Sequence, residues 1–382
     1  MTRQPQRWSL QGFRWEASPL VALLLIGFLK AFFALVIFYL PGKVHEPWNL
    51  YGVKMPTDWL YLFAAWDSGF YHAIATDWYP SVLNALWAYF PLYPACIRLV
   101  GLLGLNLWLA AFLVVEVAGF SSILVFQKIA STYLDKAEVT FATILYFLLP
   151  PVFVFTTVSY SESLFLLLSL LTWYSHIKKK EAFSAIFASL TVLTRAYGLL
   201  ILVPLGYDFL HSKQFKNLRL LLYPLVAFVA WLLYGFSKTG NFLAPFSAQS
   251  YWNSAVVNQI RDSVSRFILH GDSGMFNFLF QFQLLIAFSI LFLVVITFLC
   301  IRTWNLDRSL GVYSCTFLLG IGFLAVALIQ TFVSLPRFLS LIFPAGISLR
   351  SKRRWMLRVM LGLFASLDLI AWWMFLFTNS FH

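Results

Sequence analysis

PLVALLLIGFLKAFFALVIFYL, residues 19–40, carries one charged side chain, Lys30, in a stretch long enough to cross the hydrocarbon core of a bilayer. Runs of the same kind recur at 105–127, 138–156, 161–177, 182–195, 197–211, 218–236, 276–302, 310–332, 336–350 and 354–377. Together they predict an all-α polytopic membrane protein of about eleven spans, formed as a single domain over 1–382. Composition agrees: 61% of the 382 residues are hydrophobic and 11% charged, against roughly 25% charged in soluble domains. The 41 Phe and 15 Trp suit a lipid-facing surface with aromatic belts at its interfaces. The first run is too long for a signal peptide and contains Lys30, so it reads as a retained signal anchor.

The net charge of +12 raises the question of a nucleic-acid partner. Its distribution excludes one, because the basic residues sit in short clusters between apolar runs and form no basic face. With the N-terminus inside, Arg3, Arg7 and Arg14, the Lys178-Lys179-Lys180 run, Lys213, Lys216 and Arg219, and Arg350 to Arg354 gather on the cytoplasmic side. This arrangement requires 182–211 to be two short helices parted at Arg195-Ala196-Tyr197-Gly198. A mid-membrane Arg would cost about 3 kcal/mol on insertion scales. The C-terminus then lies outside.

Two long segments fall on the outer side. The first, 41–104, is rich in Trp and Tyr and predicts amphipathic helices lying along the interface. The second, 237–275, holds Asn241, Gln249, Asn253, Asn258 and Gln259 among aromatic residues. The cytoplasmic loops are brief and carry no Walker loop or GxGxxG, which argues against an ATP-driven pump. Cys96, Cys300 and Cys315 have no metal-ligand spacing and read as small buried hydrophobes.

Ionisable groups in so apolar a chain mark candidate sites. In WDSGFYHAIA (66–75), a helix places Asp67 and Tyr71 on one face, with Phe70 and Ile74 anchoring it to the bilayer. A carboxylate held there is positioned to accept a proton from a hydroxyl group; a helix cap or a solvated charge is the plainer alternative. FPLYP (90–94) is a rigid aromatic turn whose simpler role is structural. In SYSES (159–163), Ser161 is placed to cap a helix and Glu162 to complement its dipole. That explanation and a substrate role for Glu162 both stand. Arg195 and Arg337 break the positive-inside trend at the outer edge. A guanidinium offers a planar fork to phosphate oxygens; headgroup contact or pairing with Glu162 are the alternatives. Glu116 and Asp368, inside spans, read as paired within the bundle. His72 reads as an interfacial hydrogen-bonding residue, since no second His or Cys stands at ligand spacing.

WDSGFYHAIA, FPLYP, SYSES, TRAYGLL (194–200) and SLPRFLSLIFP (334–344), in this order, resemble the GPI mannosyltransferase II (phosphatidylinositol glycan class V) family and its prokaryotic relatives among the GT-C glycosyltransferases. The resemblance covers roughly residues 19–350. It implies a GT-C-like fold and an enzyme that takes a sugar, usually mannose, from a polyprenyl- or dolichyl-phosphate donor. The acceptor would be a lipid or glycan on the non-cytoplasmic face. Asp67 matches the family's essential first-loop acid. Trp66, Tyr71, His72, Tyr93, Glu162, Arg195 and Arg337 are the accompanying candidates for substrate binding. Here Phe70-Tyr71-His72 follows the Trp-Asp pair where the eukaryotic pattern resembles Trp-Asp-x-x-His-Phe, and long lumenal insertions are lacking. Both departures point to a prokaryotic plasma membrane and away from a GPI acceptor. Neither residues nor resemblance call for a cofactor, a divalent metal being compatible but not required. The rival class is a secondary transporter or lipid flippase. It predicts inverted repeats and polar residues at mid-membrane, whereas here no repeat is visible and the polar groups gather at one rim.

Overall fold

The apolar runs form helices, and proline divides or shortens several of them. The computed structural model describes residues 19–40, 53–251, 274–327, 334–351 and 354–377, with the single positions 261 and 265. In chain order the helices of the described residues are α1 (Pro19–Tyr39), α2 (Asp67–Asp77), α3 (Leu92–Gly101), α4 (Leu107–Ala130), α5 (Lys136–Phe147), α6 (Pro150–Phe155), α7 (Glu162–Ile177) and α8 (Glu181–Val192). They continue as α9 (Leu202–His211), α10 (Leu222–Thr239), α11 (Ala244–Ser247), α12 (Gly274–Trp304), α13 (Arg308–Ala327), α14 (Leu335–Leu339), α15 (Phe343–Ile347) and α16 (Arg354–Phe377). The described residues contain no β-strand.

Among the described residues, five helical stretches are long and apolar enough to cross a membrane: Leu20–Tyr39, Leu107–Ala130, Phe215–Thr239, Ile286–Trp304 and Trp355–Met374. The protein is a multi-pass integral membrane protein. Of the other expected spans, 310–332 corresponds over its described part to the 20-residue α13, and the rest to shorter or interrupted helices. Pro150-Pro151 separates α5 from α6, because proline donates no backbone N–H to a helix interior. The expected span 336–350 is not one helix but two single-turn helices, each with proline at its start, Pro336 and Pro344. The segment 182–211 does divide as the charge pattern requires: α8 ends at Val192, and extended Arg195 opens a 3-10 turn, Ala196–Ile201, that leads into α9. Only glycine fits at position 198, since a Cβ there would lie 2.7 Å from the Thr191 carbonyl oxygen.

The first long segment departs from its expected form. Phe70 and Ile74 do not anchor α2 to the bilayer. Both are buried, with Ile74 fully enclosed and Phe70 stacked on Tyr89 at 5.0 Å. The helix is a packed element of a second core that contains Trp87, Tyr89, Tyr93 and Trp231. Aromatic residues that composition assigns to an interface here cover one another. Residues 41–52 and, apart from the single positions 261 and 265, residues 252–273 lie outside the described residues, among them Asn253, Asn258 and Gln259.

Two ionic clamps hold the bundle away from the candidate site. Lys30, buried midway along α1, reaches both carboxylate oxygens of Glu116 on α4 (3.3 and 3.2 Å) and donates to the Thr156 carbonyl at 2.6 Å. Asp368, by contrast, has no hydrogen-bond partner among the described residues, so its expected pairing is not found. The second clamp joins four helix ends. His176 lies 2.9 Å from Glu181 and 2.8 Å from Asp208, and the Ser309 hydroxyl donates to the other Asp208 oxygen.

Lys30→Met removes the cation but leaves Glu116 able to enter the bundle as a neutral acid, which limits the cost. The expected loss is about 2 kcal/mol, and Lys30→Met combined with Glu116→Leu recovers most of it. Unfolding of the purified protein in detergent checks this. A double variant no more stable than the single one removes the pair from the stability account.

Candidate functional site

Four charged side chains distant in sequence meet at one end of the bundle. Asp67 is the first residue of α2, Glu162 the first of α7, Arg195 precedes the 3-10 turn after α8, and Arg337 lies in α14. Arg337 Nη1 donates to Asp67 Oδ2 at 2.8 Å, and its Nε donates to Glu162 Oε1. Arg195 Nη2 donates to the same Glu162 oxygen at 2.5 Å. The four formal charges cancel. Exposure grades across the cluster: Glu162 is fully enclosed, each arginine is 12% exposed and Asp67 22%. Asp67 is therefore the most accessible member of the cluster and Glu162 the most enclosed.

The backbone is shaped to present these groups. Trp66 adopts φ 49°, a left-handed conformation that is uncommon for an aromatic residue. It turns the chain so that α2 begins directly on Asp67, whose backbone N–H donates to the Tyr160 hydroxyl at 3.0 Å. The Ser159 N–H donates to the Phe63 carbonyl at 2.7 Å. Between them these bonds fasten the segment before Asp67 to the segment before Glu162. The Tyr146 hydroxyl donates to the Ser340 carbonyl at 2.8 Å, fixing the short helix that bears Arg337. FPLYP contributes from behind: the Leu92 N–H donates to the Leu193 carbonyl at 3.0 Å, just before Arg195.

Three tyrosines and a serine complete the site. The Tyr89 hydroxyl donates to Asp67 Oδ1 at 2.9 Å. The Tyr160 ring lies under the Arg337 guanidinium at 4.4 Å, a cation–π contact that fixes its plane. Ser161 does not cap α7 with its side chain. Its hydroxyl instead accepts from Arg195 Nε at 2.9 Å and lies 2.8 Å from the Tyr71 hydroxyl. Burial pushes the Tyr71 hydroxyl up to about 12 and that of Tyr89 well above the ordinary tyrosine range. Both are neutral hydrogen-bonding groups at physiological pH.

Of the residues singled out from sequence, Asp67, Tyr71, Glu162, Arg195 and Arg337 come together, with Trp66 turning the chain beside them. Two do not join them. Tyr93 is enclosed behind Tyr71, their ring centroids 4.8 Å apart. His72 stacks on Trp108 at 4.2 Å, on the far side of α2. Tyr89 and Tyr160 were missed. Tyr160 adjoins Ser161 and Glu162 in a singled-out motif, but nothing in the pattern of 89 distinguishes it from the surrounding aromatics.

Burial lowers the His72 pKa from 6.5 to about 4. The native protein thus favours the neutral ring. The stability this contributes is present above about pH 6.5 and is lost as pH falls towards 4. The gap in thermal midpoint between wild type and His72→Phe should shift against wild type as pH drops through that window. A constant gap would show that the ring stays accessible to protons.

Among the described residues, no three or more His, Cys, Asp or Glu stand together as a metal-binding group. Between Asp67 and Glu162 the bridging cation is the Arg337 guanidinium itself. As they stand, the two carboxylates each direct an oxygen at guanidinium N–H groups.

No family model matches the sequence, and no curated protein matches it. Among solved structures, the chain is similar to the Archaeoglobus fulgidus oligosaccharyltransferase tethered with an acceptor peptide. Identity is 12% over 95% of this chain and 55% of that chain, with a TM-score of 0.43. The present chain thus spans about half the length of that protein. It is similar also to ArnT from Cupriavidus metallidurans in the apo state, at 12% identity over 90% of this chain and 77% of that one, with a TM-score of 0.39. The ArnT structure bound to undecaprenyl phosphate gives 11% identity, the same coverage and a TM-score of 0.37.

Proposed function

We propose that the protein is a membrane glycosyltransferase of the GT-C type. It moves a sugar, mannose by the sequence resemblance, from a polyprenyl-phosphate donor to a lipid or glycan acceptor on the non-cytoplasmic face. The observation that carries this reading is the convergence of Asp67 with two arginines at the end of an otherwise apolar bundle. Sugar transfer from a lipid phosphate needs a group that accepts the proton of the incoming hydroxyl and cations that stabilise the departing phosphate. It also needs a lipid-embedded setting, so that the donor tail stays in the bilayer while its head reaches the site.

In this mechanism the acceptor oxygen attacks the anomeric carbon and the bond from that carbon to the phosphate oxygen breaks. The phosphate leaves with the electron pair, Asp67 takes the hydroxyl proton, and the anomeric configuration inverts. Arg337, which contacts the accessible Asp67, meets the phosphate first, and Arg195 supports it. Glu162 is the counter-ion that holds both guanidiniums. Tyr89 orients the Asp67 carboxylate by its 2.9 Å hydrogen bond. The excess of positive residues on the opposite side supports the non-cytoplasmic placement.

The direct test supplies purified protein with radiolabelled polyprenyl-phosphate mannose and a membrane lipid extract. Label passing into a new lipid or glycan product supports the reading, and the product identifies the acceptor. Intact donor in the presence of acceptors competent with other transferases would sink the mannosyl reading, and the same result across a panel of sugars would sink transfer altogether. Tyr89→Phe removes one hydrogen bond to a charged group and should lower turnover about tenfold. An unchanged rate means that Arg337 alone orients the carboxylate.

A further inference from the structure

The geometry points to a competition in which the donor's phosphate and Asp67 contend for Arg337, so that binding of the anion releases the carboxylate to act. This deepens, and rests on, the lipid-phosphate reading above. As the site stands, Asp67 and Arg337 are paired with each other at 2.8 Å, a state in which the base is occupied and the phosphate-binding cation already neutralised. The two groups cannot serve acceptor and donor at once while they hold each other.

The grading of the cluster decides which bond yields. Glu162 is fully enclosed and takes a hydrogen bond from each arginine, so its loss would strand two guanidiniums. Asp67 is the most exposed of the four, held by one bond from Arg337 and one from Tyr89. An anion arriving from the accessible side therefore displaces Asp67, not Glu162. Arg337 stays oriented through the exchange because Glu162 holds its Nε and the Tyr160 ring lies beneath it at 4.4 Å. Asp67 likewise stays in place, kept by the Tyr89 hydroxyl and by its position at the start of α2. A carboxylate parted from its guanidinium has that oxygen open to the hydroxyl of the acceptor. Donor binding thus frees the base when, and only when, a leaving group is present.

Competition has an unusual consequence: the variant that should be catalytically dead should bind the lipid phosphate more tightly. When only part of the population offers a free Arg337, apparent affinity falls by that fraction. Asp67→Asn removes the charged competitor and keeps the side-chain shape. Its affinity for undecaprenyl phosphate should exceed that of wild type about fivefold, the upper scale of a partly exposed ion pair. Undecaprenol, which lacks the phosphate, should bind both proteins equally, and Arg337→Ala should lose the phosphate-dependent part.

Titration of the full-length protein in detergent with both lipids, followed by intrinsic tryptophan fluorescence, reads all three. Tightening of undecaprenyl phosphate but not undecaprenol supports the competition. Equal or weaker phosphate binding by Asp67→Asn, or equal tightening of undecaprenol, overturns it while leaving the donor reading intact. No phosphate-dependent binding to any of the proteins overturns both. A second measurement uses wild type alone: reaction of Asp67 with a hydrophobic carbodiimide, followed by peptide mass spectrometry. Undecaprenyl phosphate should raise labelling at Asp67 several-fold over undecaprenol, and an unchanged or lower yield counts against release of the carboxylate.

Discussion

Asp67→Asn should abolish sugar transfer while leaving the protein folded. The substitution keeps the size of the side chain and an oxygen able to accept from the Tyr89 hydroxyl, which lies 2.9 Å away. What it removes is a carboxylate able to take a proton, and general-base assistance is worth about 10²–10⁴ in rate. The structural cost is small by comparison. Asp67 is the most exposed member of the cluster, and a pair of this kind contributes up to about 1 kcal/mol. Initial rates at saturating donor and acceptor, with thermal unfolding of the same preparations, separate the two effects. The expected pattern is a collapse in kcat together with a lower KM for the donor, since Arg337 is freed for the phosphate. A variant that retains a tenth of wild-type turnover would remove Asp67 from the role of base.

The second large effect falls on the fold. Glu162→Gln should destabilise the protein by about 3–5 kcal/mol, the cost of stranding buried charge. Two arginines share one Glu162 oxygen, and neither is more than 12% exposed. Unlike a lone carboxyl, a guanidinium cannot shed its charge by giving up a proton. The variant leaves Asp67 as the nearest counter-ion for both arginines, and its contact is with Arg337. Against a total stability of about 5–15 kcal/mol, this is a large share. Glu162→Gln combined with Arg195→Met should be more stable than Glu162→Gln alone, because one stranded cation is gone. Denaturation in detergent of wild type, single and double variants tests the sequence of stabilities. A single variant within about 1 kcal/mol of wild type would mean that water, not Glu162, balances the arginines.

Much of this site is visible in the sequence because ionisable groups are costly in an apolar chain. Asp67, Glu162, Arg195 and Arg337 stand out for that reason, and their grouping follows from helix order and the positive-inside rule. The split of 182–211 is legible on the same grounds, since an Arg cannot be left at mid-membrane. Tyr89 and Tyr160 are not legible. With 17 tyrosines in the chain, hydroxyl chemistry does not single out the two that touch Asp67, and only packing brings them there. The reading of α2 as a helix on the bilayer surface fails for a related reason. Phe70 and Ile74 have the same apolar character whether they meet lipid or the second aromatic core.

Periodicity and run length determine that the chain crosses a membrane as helices, because an unpaired backbone group in hydrocarbon has no other partner. Charge placement determines which short segments carry the chemistry. The tertiary structure alone decides how these groups are joined: that Glu162 holds both arginines, that Arg337 also holds Asp67, and that Lys30 pairs with Glu116. Sequence marks each charge that needs a partner, but partner choice depends on separations of a few ångströms between helices that pack from distant parts of the chain.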